Sequence, residues 1–334
     1  MNYEERLSTF KALGHRIRKM SEKDVLVLAE KAFAENKWFT QKSVSQAFEA
    51  LGTMLEDQEL EEWSAGYKIG KGGKSVGIVM AGNIPLVGFH DLLCVLLSDH
   101  RAVIKTSSKD QVLVREILAM IADIQPAFTD RYYLPDRLKD VDAIIATGSD
   151  NSARYFEYYF SKYPHIIRKN RTSIAILDGS EGPDDLLALG HDVYDYYGLG
   201  CRNVSKVFLP AGYDLPQLLD AWQPFAFLSD NHKYQHNYDY RKSIMLVNGD
   251  KHLDSGFSLL KASEDLVSPI ALTYYEFYDS AEALKDKVLS MEDKLQCIVS
   301  GGEILEGTAF GQTQVPTLAD YADNVDTMAF LQQL

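Results

Sequence analysis

The first 62 residues show a helical pattern of hydrophobic and polar positions. Hydrophobic residues recur three and four positions apart between charged ones, as in the series Leu26, Ala29, Ala32 and Phe33. The pattern breaks near Asn36 and again near Gly52. The stretch from Glu4 to about Glu62 therefore predicts two or three amphipathic helices.

From Val76 onward, short β-type runs alternate with mostly apolar helical runs. Strands are predicted at SVGIVMAG, AVIKTSS, DAIIATG and TSIAILDG, and helices at LVGFHDLLCVLLSDH, QVLVREILAMIADIQ and SDNSARYFEYYFSK. This alternation is typical of a mostly parallel sheet whose faces are covered by helices.

A second α/β unit begins after Gly182. Its predicted elements are a helix over residues 185–196, a helix around LPQLLDAW, and strands at VSKVFLP, SIMLVN, SPIALTYYEF and QCIVSG. We expect an α/β protein with two domains, because the chain is long enough for two cores. The first comprises residues 1–178, to which residues 310–334 return, and the second comprises residues 179–309.

Charge narrows the function classes. The 334 residues include 34 Lys and Arg against 48 Asp and Glu, a net charge of −14. No basic run follows a helix face or a tail, which disfavours a nucleic-acid partner and favours small-molecule chemistry. The first twenty residues lack an apolar core of signal-peptide length, and no run is long enough to span a membrane, so a cytoplasmic protein is expected.

The three cysteines differ in their surroundings. Cys94 in LLCVLL and Cys297 in QCIVS lie in apolar runs and are predicted to be buried and inert. Cys201 in GLGCRN follows two glycines and precedes Arg202 and Asn203, which would give a thiolate access, positive charge and hydrogen-bond donors. Taken alone, the stretch fits a loop cysteine without a chemical role about equally well.

Two polar turns follow predicted strands, which is where α/β sheets bind ligands. AGNIP places Asn83 where its amide can donate hydrogen bonds to a developing negative charge. TGS places Thr147, Gly148 and Ser149 at a helix start, which suits a phosphate. Each motif alone also fits an ordinary turn.

Three histidines are ambiguous. His232 and His236 are four residues apart and would share a helix face as metal ligands, but no further ligand pattern completes such a site. A polar surface or substrate-facing segment is the better interpretation, and no metal is predicted. His165 in SKYPHIIRKN fits either a base or a capping residue.

Taken in order, four motifs resemble the aldehyde dehydrogenase superfamily, and more closely its bacterial fatty acyl-CoA reductase branch. AGNIPLVGFHDLL with AVIKTSS is similar to the superfamily's Asn-containing turn and Lys-containing strand, ATGS to its pyrophosphate turn, GLGCRN to its nucleophile loop, and SEDLVSPIALTYYEF to its late carboxylate-and-proline motif. The resemblance covers roughly residues 70–330. It implies a variant doubly wound cofactor-binding domain without a G-x-G-x-x-G turn, and an α/β catalytic domain that carries the cysteine.

The resemblance also implies roles for individual residues. Cys201 would attack the thioester carbonyl, and the Asn83 side chain with the Cys201 backbone N–H would hold the oxyanion. Lys105 would meet the adenosine ribose, residues 147–149 the pyrophosphate, and Asp265 the nicotinamide ribose. The resemblance does not identify a general acid, and we take His165 as the candidate for that role.

Two departures from the superfamily pattern carry information. Aldehyde-oxidising members have a glutamate that activates water, whereas the equivalent region here, RKNRTSIAIL, has no carboxylate before Asp178. This favours thioester reduction over aldehyde oxidation. Members that prefer NAD often have a glutamate three residues after the lysine, where Ser108 stands here, followed by Lys109. We therefore expect NADPH as the cofactor, with NADH as the alternative.

The expected function is reduction of a long-chain acyl-CoA to the fatty aldehyde. Three alternatives remain open: a hydrolytic or CoA-acylating aldehyde dehydrogenase, a subunit that transfers the acyl group to a partner, and a nucleotide-binding relative without chemistry. Expected partners are the acyl-CoA substrate and either a second copy of the chain in a homodimer or an acyl-transfer or synthetase subunit.

Overall fold

The computed structural model describes residues 1–70, 72–148 and 150–334, and the chain divides into two compact units. Unit 1 comprises Met1–Asn170 and Val315–Leu334, and unit 2 comprises Arg171–Gln314.

Helices and strands alternate along most of the chain. The helices of the described residues are α1 (Tyr3–Arg18), α2 (Glu22–Glu35), α3 (Gln41–Met54), α4 (Asp57–Ala65), α5 (Phe89–Leu97), α6 (Gln111–Ile124), α7 (Asp150–Phe160), α8 (Pro183–Tyr194), α9 (Leu215–Ala221), α10 (His232–Asn248), α11 (Ala281–Leu289) and α12 (Thr327–Leu331). The strands are β1 (Ser75–Val79), β2 (Arg101–Lys105), β3 (Tyr132–Tyr133), β4 (Ala143–Thr147), β5 (His165–Arg168), β6 (Thr172–Ile176), β7 (Val204–Pro210), β8 (Leu253–Asp254), β9 (Leu259–Ala262), β10 (Leu272–Tyr278) and β11 (Leu295–Ser300). Short 3₁₀ turns lie at Pro126–Asp130, Asp195–Gly198, Gln223–Asp230, Glu292–Lys294 and Ala322–Asn324.

The N-terminal region contains four helices, one more than the largest number predicted. The additional break precedes α2, where the Ser21 hydroxyl accepts the Asp24 backbone N–H at 3.2 Å and caps a new helix. The predicted break near Asn36 is confirmed, and the next falls after Met54.

The sheet of unit 1 has the strand order β3-β2-β1-β4-β5, and all of its pairings are parallel. The chain moves outward from β1 through β2 to β3, and then continues on the other side of β1 with β4 and β5. This reversal defines a doubly wound sheet, with its switch point between β1 and β4. The predicted α/β fold class with a doubly wound domain is confirmed.

The C-terminal segment returns to unit 1 through a buried polar contact. The Arg168 guanidinium, at the end of β5, binds both carboxylate oxygens of Asp91 in α5 and donates to the Thr327 hydroxyl at 3.0 Å. All three residues are buried, so the last helix of the chain is fixed against α5. No helix in the described ranges is long and apolar enough to cross a membrane.

The sheet of unit 2 has the order β11-β6-β7-β10-β9-β8, and only β8 pairs in the antiparallel sense. Because β6 pairs with β7 and β11, unit 2 begins before β6 and not at residue 179. It ends at Gln314 and not at residue 309, because the buried Asp192 carboxylate accepts the backbone N–H groups of Gly311 (2.7 Å) and Thr313 (3.0 Å).

The predicted strand at SIMLVN is wrong. These residues, 243–248, continue α10, which begins at the Asn231 cap and ends at Gly249 with φ 70°. Within the run only Met245 is buried, at 4% exposed, while Leu246 and Val247 are 63% and 87% exposed, so the run lacks the continuous burial that a central strand needs. A short apolar run does not by itself distinguish a strand from a helix end.

Candidate active site

In unit 1, the turns that follow β1, β2 and β4 lie at one edge of the sheet, because parallel strands end at the same edge. The first turn carries the exposed Asn83, and the third carries the half-buried Thr147 and Gly148. Ser149, the remaining residue of the predicted pyrophosphate turn, lies outside the described residues. The sheet thus brings Asn83 and residues 147–148 to its switch point, as a ligand site in such a fold requires.

The turn after β2 presents the predicted ribose-binding residues. Lys105 is the last residue of β2 and is exposed, and Ser108 and Lys109 are exposed in the turn that leads to α6. Two cationic side chains therefore stand in or beside one short turn, where a nucleotide phosphate is favourable.

The turn that carries Asn83 is held tightly from several sides. A Cβ atom on Gly82 would lie 2.6 Å from the Ser107 Oγ, so the turns after β1 and β2 touch there. The Asn36 amide donates to the Gly82 carbonyl at 3.3 Å. Leu86 has a left-handed backbone with φ 57°, which is uncommon for a side chain of its size.

Asp110 fixes that unusual backbone. Its Oδ2 accepts the Leu86 N–H at 2.7 Å, while its Oδ1 is buried without a hydrogen-bond partner among the described residues. Burial raises the pKa of the Asp110 carboxyl from 3.8 to about 8, and Glu35 nearby acts in the same direction. Asp110 is therefore largely a neutral acid at neutral pH.

His165 is not brought to this edge. It is the first residue of β5 and is level with Ile144, whereas Arg168 at the other end of β5 is level with Thr147. At about 3.3 Å per residue, His165 lies about 10 Å from the level of Thr147. Its Nδ1 lies 2.8 Å from the Tyr163 carbonyl oxygen, a local contact at the strand start.

In unit 2, Cys201 is half-buried in the loop between α8 and β7. Three successive residues just before the cysteine have a left-handed backbone, namely Tyr196 (φ 52°), Tyr197 (φ 61°) and Gly198 (φ 71°). Two of these are aromatic and buried, so the surrounding packing must hold them in a conformation that L-residues disfavour.

Asn203 fastens the cysteine loop to the end of α8. Its Oδ1 accepts the Gly200 N–H at 2.8 Å, and its Nδ2 donates to the carbonyls of Asp192 (3.1 Å) and Asp195 (2.9 Å). The side chain is 3% exposed, so these hydrogen bonds are shielded from water. Sequence reasoning assigned Asn203 to the thiolate, but the structure shows it holding backbone.

Ser173 of β6 fastens the other side of the loop. Its hydroxyl donates to the Cys201 carbonyl at 3.0 Å and accepts the Cys297 N–H at 3.1 Å, which joins the loop to β11. Cys297 is buried as predicted, and its Sγ lies 3.3 Å from a guanidinium nitrogen of Arg202. Nothing in the sequence pointed to Ser173, because its partners lie 28 and 124 residues away.

Asp265, His232, His236 and Cys94 are the remaining residues singled out in the sequence. Asp265 is exposed in the segment between β9 and β10. His232 and His236 share one side of α10 with ring centroids 6.5 Å apart, and among the residues described no group of three or more His, Cys, Asp and Glu side chains is placed to hold a metal ion. Cys94 is fully buried, and burial raises the pKa of its thiol, as expected for an inert core cysteine.

Residues 41–215 match the sequence profile of the family described as "Acyl-CoA reductase (LuxC)". The chain belongs to this family. Among curated proteins, the long-chain acyl-protein thioester reductase of Aliivibrio fischeri is 24% identical over 161 residues, which are 42% of this chain and 33% of that protein. The corresponding Photorhabdus laumondii protein is 23% identical over 155 residues, 41% of this chain and 32% of that protein. The matched stretch spans about a third of the length of these relatives.

Solved structures show the same fold as this acyl-CoA reductase family member. Aldehyde dehydrogenase 21 of Physcomitrella patens has a TM-score of 0.68 at 10% identity, over 100% of this chain and 84% of that chain. An aldehyde dehydrogenase of Mycobacterium tuberculosis complexed with NAD+ has a TM-score of 0.63 at 12% identity, over 90% of this chain and 73% of that chain. The aldehyde dehydrogenase fold and the fatty acyl-CoA reductase branch, both predicted from sequence motifs, are confirmed.

The switch point of this acyl-CoA reductase family member suits a dinucleotide. A Cβ atom on Gly148 would lie 2.8 Å from the Ser152 Cβ, so the turn after β4 runs directly against the first turns of α7. Glycines in such turns allow a phosphate to approach the backbone. The exposed Lys105 and Lys109 lie at or just after the end of β2, on the same edge of the sheet and on the other side of β1 from β4. This edge therefore offers cationic side chains and backbone donors of the kind that a nucleotide requires.

Proposed function

We propose that the protein reduces a long-chain acyl-CoA to the fatty aldehyde through an acyl-cysteine formed on Cys201, with NADPH as the cofactor. The observation that carries this proposal is the cysteine loop. Asn203 and Ser173 fix its main chain from two sides, while the Cys201 side chain stays partly accessible. A nucleophile needs this combination of fixed position and access.

Acylation is the first half of the proposed reaction. The Cys201 thiolate attacks the thioester carbonyl, a new C–S bond forms, and the tetrahedral oxyanion collapses with expulsion of the CoA thiolate, which takes up a proton. By the family resemblance, the Asn83 amide and the Cys201 backbone N–H donate hydrogen bonds to that oxyanion.

Reduction is the second half. A bound reduced nicotinamide supplies the hydride that converts the acyl carbon to the aldehyde oxidation level. Cys201 then leaves as a thiolate and is ready for another cycle. Residues 168–177 contain no carboxylate, so the chain offers no water-activating base there, and this supports reduction over hydrolysis of the acyl-enzyme.

Residues from both units are proposed to contact the cofactor. In unit 1, Lys105 and residues 147–149 hold the adenosine ribose and pyrophosphate, and Ser108 with Lys109 accommodate the 2′-phosphate. In unit 2, Asp265 holds the nicotinamide ribose. Support for NADPH over NADH comes from the exposed Ser108 and Lys109, since a cation beside a hydroxyl attracts a phosphate.

The decisive experiment mixes purified protein with a long-chain acyl-CoA and NADPH and follows the absorbance of the reduced nicotinamide. In parallel, a radiolabelled acyl-CoA without cofactor measures acyl transfer to the protein. Cys201→Ala should abolish both signals, whereas Cys94→Ala, the matched control in the core of unit 1, should keep both. Labelling that survives in Cys201→Ala would reject Cys201 as the nucleophile.

A second candidate substrate is an acyl group carried as a thioester on a partner protein. The curated relatives are named acyl-protein thioester reductases, which is the observation in its favour. A long-chain acyl group on the pantetheine thiol of an acyl carrier protein serves as the probe. A higher kcat/KM for this probe than for acyl-CoA would make the protein-bound thioester the preferred substrate.

A further inference from the structure

The strand that follows the cysteine loop is irregular at its start. In the pairing of β6 with β7, Ser173 is opposite Val204, but the next residue, Ile174, is opposite Lys206. Ser205 is therefore an extra residue on β7, a β-bulge located four residues after Cys201. Bulges re-aim the side chains on either side of them.

The side chains at this bulge bind the same short segment. The Ser205 hydroxyl donates to the Leu266 carbonyl at 2.8 Å. The Lys206 ammonium donates to the carbonyls of Ser263 (2.9 Å) and Glu264 (3.1 Å). In a regular strand these two consecutive side chains would point to opposite faces, so the bulge explains why both reach the segment.

Lys206 is 1% exposed, and each N–H group of its ammonium has a hydrogen-bond partner. Its third hydrogen bond goes to the Glu276 carboxylate at 2.6 Å, which Lys287 also contacts. An ammonium has three N–H donors, so all three are used. A buried charge is costly unless it is paired, and here two of the three hydrogen bonds of the ammonium go to the backbone of the segment between β9 and β10.

That segment carries Asp265. The carbonyls bound by β7 belong to residues 263, 264 and 266, which surround it on both sides, while the Asp265 side chain itself is exposed. Within the segment, the Asp265 N–H donates to the Ser263 hydroxyl at 3.1 Å. The main chain is thus fixed and the carboxylate is presented outward.

We propose that the β7 bulge positions Asp265 for the nicotinamide ribose, with Lys206 and Ser205 as positioning residues that bind its flanking carbonyls. This inference rests on the proposed function, in which Asp265 contacts the cofactor.

The test measures cofactor binding apart from catalysis. Lys206→Met should raise the dissociation constant of NADPH, followed by the fluorescence of the reduced nicotinamide, by about tenfold, and Ser205→Ala by about threefold. Both should leave cofactor-free acylation of Cys201 within about twofold of wild type. Lys206→Arg keeps the positive charge and N–H donors and should weaken NADPH binding less than Lys206→Met does, but its planar guanidinium does not reproduce all three bonds of the buried ammonium.

Lys261→Met is the matched control. Lys261 is in β9 and pairs with Asp250 at 2.7 Å, and neither residue contacts the Asp265 segment in the contacts described. The Lys261→Met variant should leave the affinity of the protein for NADPH unchanged. If Lys206→Met fails to fold, Ser205→Ala decides, because it removes one hydroxyl and leaves the buried charge of Lys206 with its partners.

The outcomes separate the inference from the function on which it rests. A wild-type protein that neither acylates Cys201 nor binds a nicotinamide would overturn the proposed function. A wild type that does both, in which Asp265→Asn weakens NADPH binding about tenfold but Lys206→Met and Ser205→Ala do not, would overturn the positioning role alone. Equal losses of acylation and of cofactor affinity in folded Lys206→Met would also overturn it, since they indicate general disruption.

Discussion

The turn that carries Asn83 and the loop that carries Cys201 meet the same structural demand with different chemistry. Each contains non-glycine residues with left-handed backbone, Leu86 in the turn and two tyrosines before the cysteine. In unit 1 the strained backbone is held by a carboxyl group, that of Asp110. In unit 2 the loop is held by the Asn203 amide and the Ser173 hydroxyl.

The two sets of holding groups differ in whether they can ionise. Amides and alcohols do not ionise in the range where proteins are stable, so the hydrogen bonds that Asn203 and Ser173 make to the Cys201 loop do not titrate. The Asp110 carboxyl is buried, its pKa is raised to about 8, and one of its oxygens has no partner in the described ranges. The ionised carboxylate accepts the Leu86 N–H more strongly, but it places a charge in a buried site, so the stability of the folded protein should fall as pH rises. Asn203→Ala, Asp110→Asn and Ser173→Ala test this contrast.

The largest effect is expected from Asn203→Ala. It leaves the Gly200 N–H and the carbonyls of Asp192 and Asp195 without their buried partner, at a cost of about 3 kcal/mol in the free energy of unfolding. Acylation of Cys201 should slow about a hundredfold, because a misplacement of about 1 Å has that effect. Denaturant unfolding and labelling with acyl-CoA measure the two losses.

Asn237→Ala controls for the Asn203 experiment. Asn237 makes one hydrogen bond at the surface of α10, from its Nδ2 to the Lys233 carbonyl at 2.8 Å. Its removal should change the free energy of unfolding by less than about 0.5 kcal/mol. Equal stability of the two variants would contradict the fastening role of Asn203.

The second effect is a pH dependence removed by Asp110→Asn. The folded-state pKa of Asp110, about 8, exceeds its ordinary value of 3.8, so between those pH values the folded protein binds a proton that the unfolded chain has lost. Wild-type stability then falls with rising pH by up to about 1.4 kcal/mol per pH unit from this group, and levels off above the folded pKa. The asparagine variant lacks this slope, and its Oδ1 still accepts the Leu86 N–H.

Unfolding at several pH values between 5 and 8 measures the difference in slope between wild type and Asp110→Asn, roughly one proton at most. Asp142→Asn is the matched control, because the exposed Asp142 also accepts a backbone N–H, that of Ser75 at 2.8 Å. Parallel stability curves for wild type and Asp110→Asn would show that Asp110 is ionised in the folded protein and would remove the contrast between the two loops.

Ser173→Ala should have the third largest effect. It deprives the Cys201 carbonyl and the Cys297 N–H of a partner, for about 1–2 kcal/mol, and should slow acylation about tenfold at every pH. Ser180→Ala, which removes an exposed hydroxyl that contacts Asp178, should change neither quantity. A Ser173→Ala defect that varies with pH would contradict the expectation that the hydrogen bonds of Ser173 to the Cys201 carbonyl and the Cys297 N–H do not titrate.

The sequence predicts the fold class of unit 1, a mostly parallel α/β sheet, but not the order of its strands. Alternating short apolar runs and amphipathic runs predict a parallel α/β sheet because both periodicities are local, and the turn motifs around Asn83, Cys201 and Thr147 are equally local. The same reasoning failed at residues 243–248, where four consecutive apolar residues lie at the end of α10. The run is too short for its length to decide between helix and strand.

Asp110 and Ser173 could not be predicted as groups that hold the site, because their partners are distant along the chain. Asp110 binds Leu86 across 24 residues, and Ser173 binds Cys201 across 28. An isolated Asp before a helix is ordinarily a cap, yet the first N–H groups of α6 bind Glu35 at 3.0 and 3.1 Å, and the Asp110 side chain turns to the Asn83 turn instead. Only the tertiary structure shows that exchange.

The smallest effect is expected from His165→Ala, which tests whether the edge of the unit 1 sheet opposite the ligand turns takes part in the chemistry. His165 starts β5, is exposed, and makes a local contact with the Tyr163 carbonyl, while Asn83 and Thr147 follow the far ends of their strands. Substitution should keep the steady-state rate within about twofold and the free energy of unfolding within about 0.5 kcal/mol. The measurement is the rate of NADPH consumption with acyl-CoA from pH 6 to 8. A tenfold loss of rate would place a proton-transfer step on His165 and would require the chemistry to reach the amino ends of the strands.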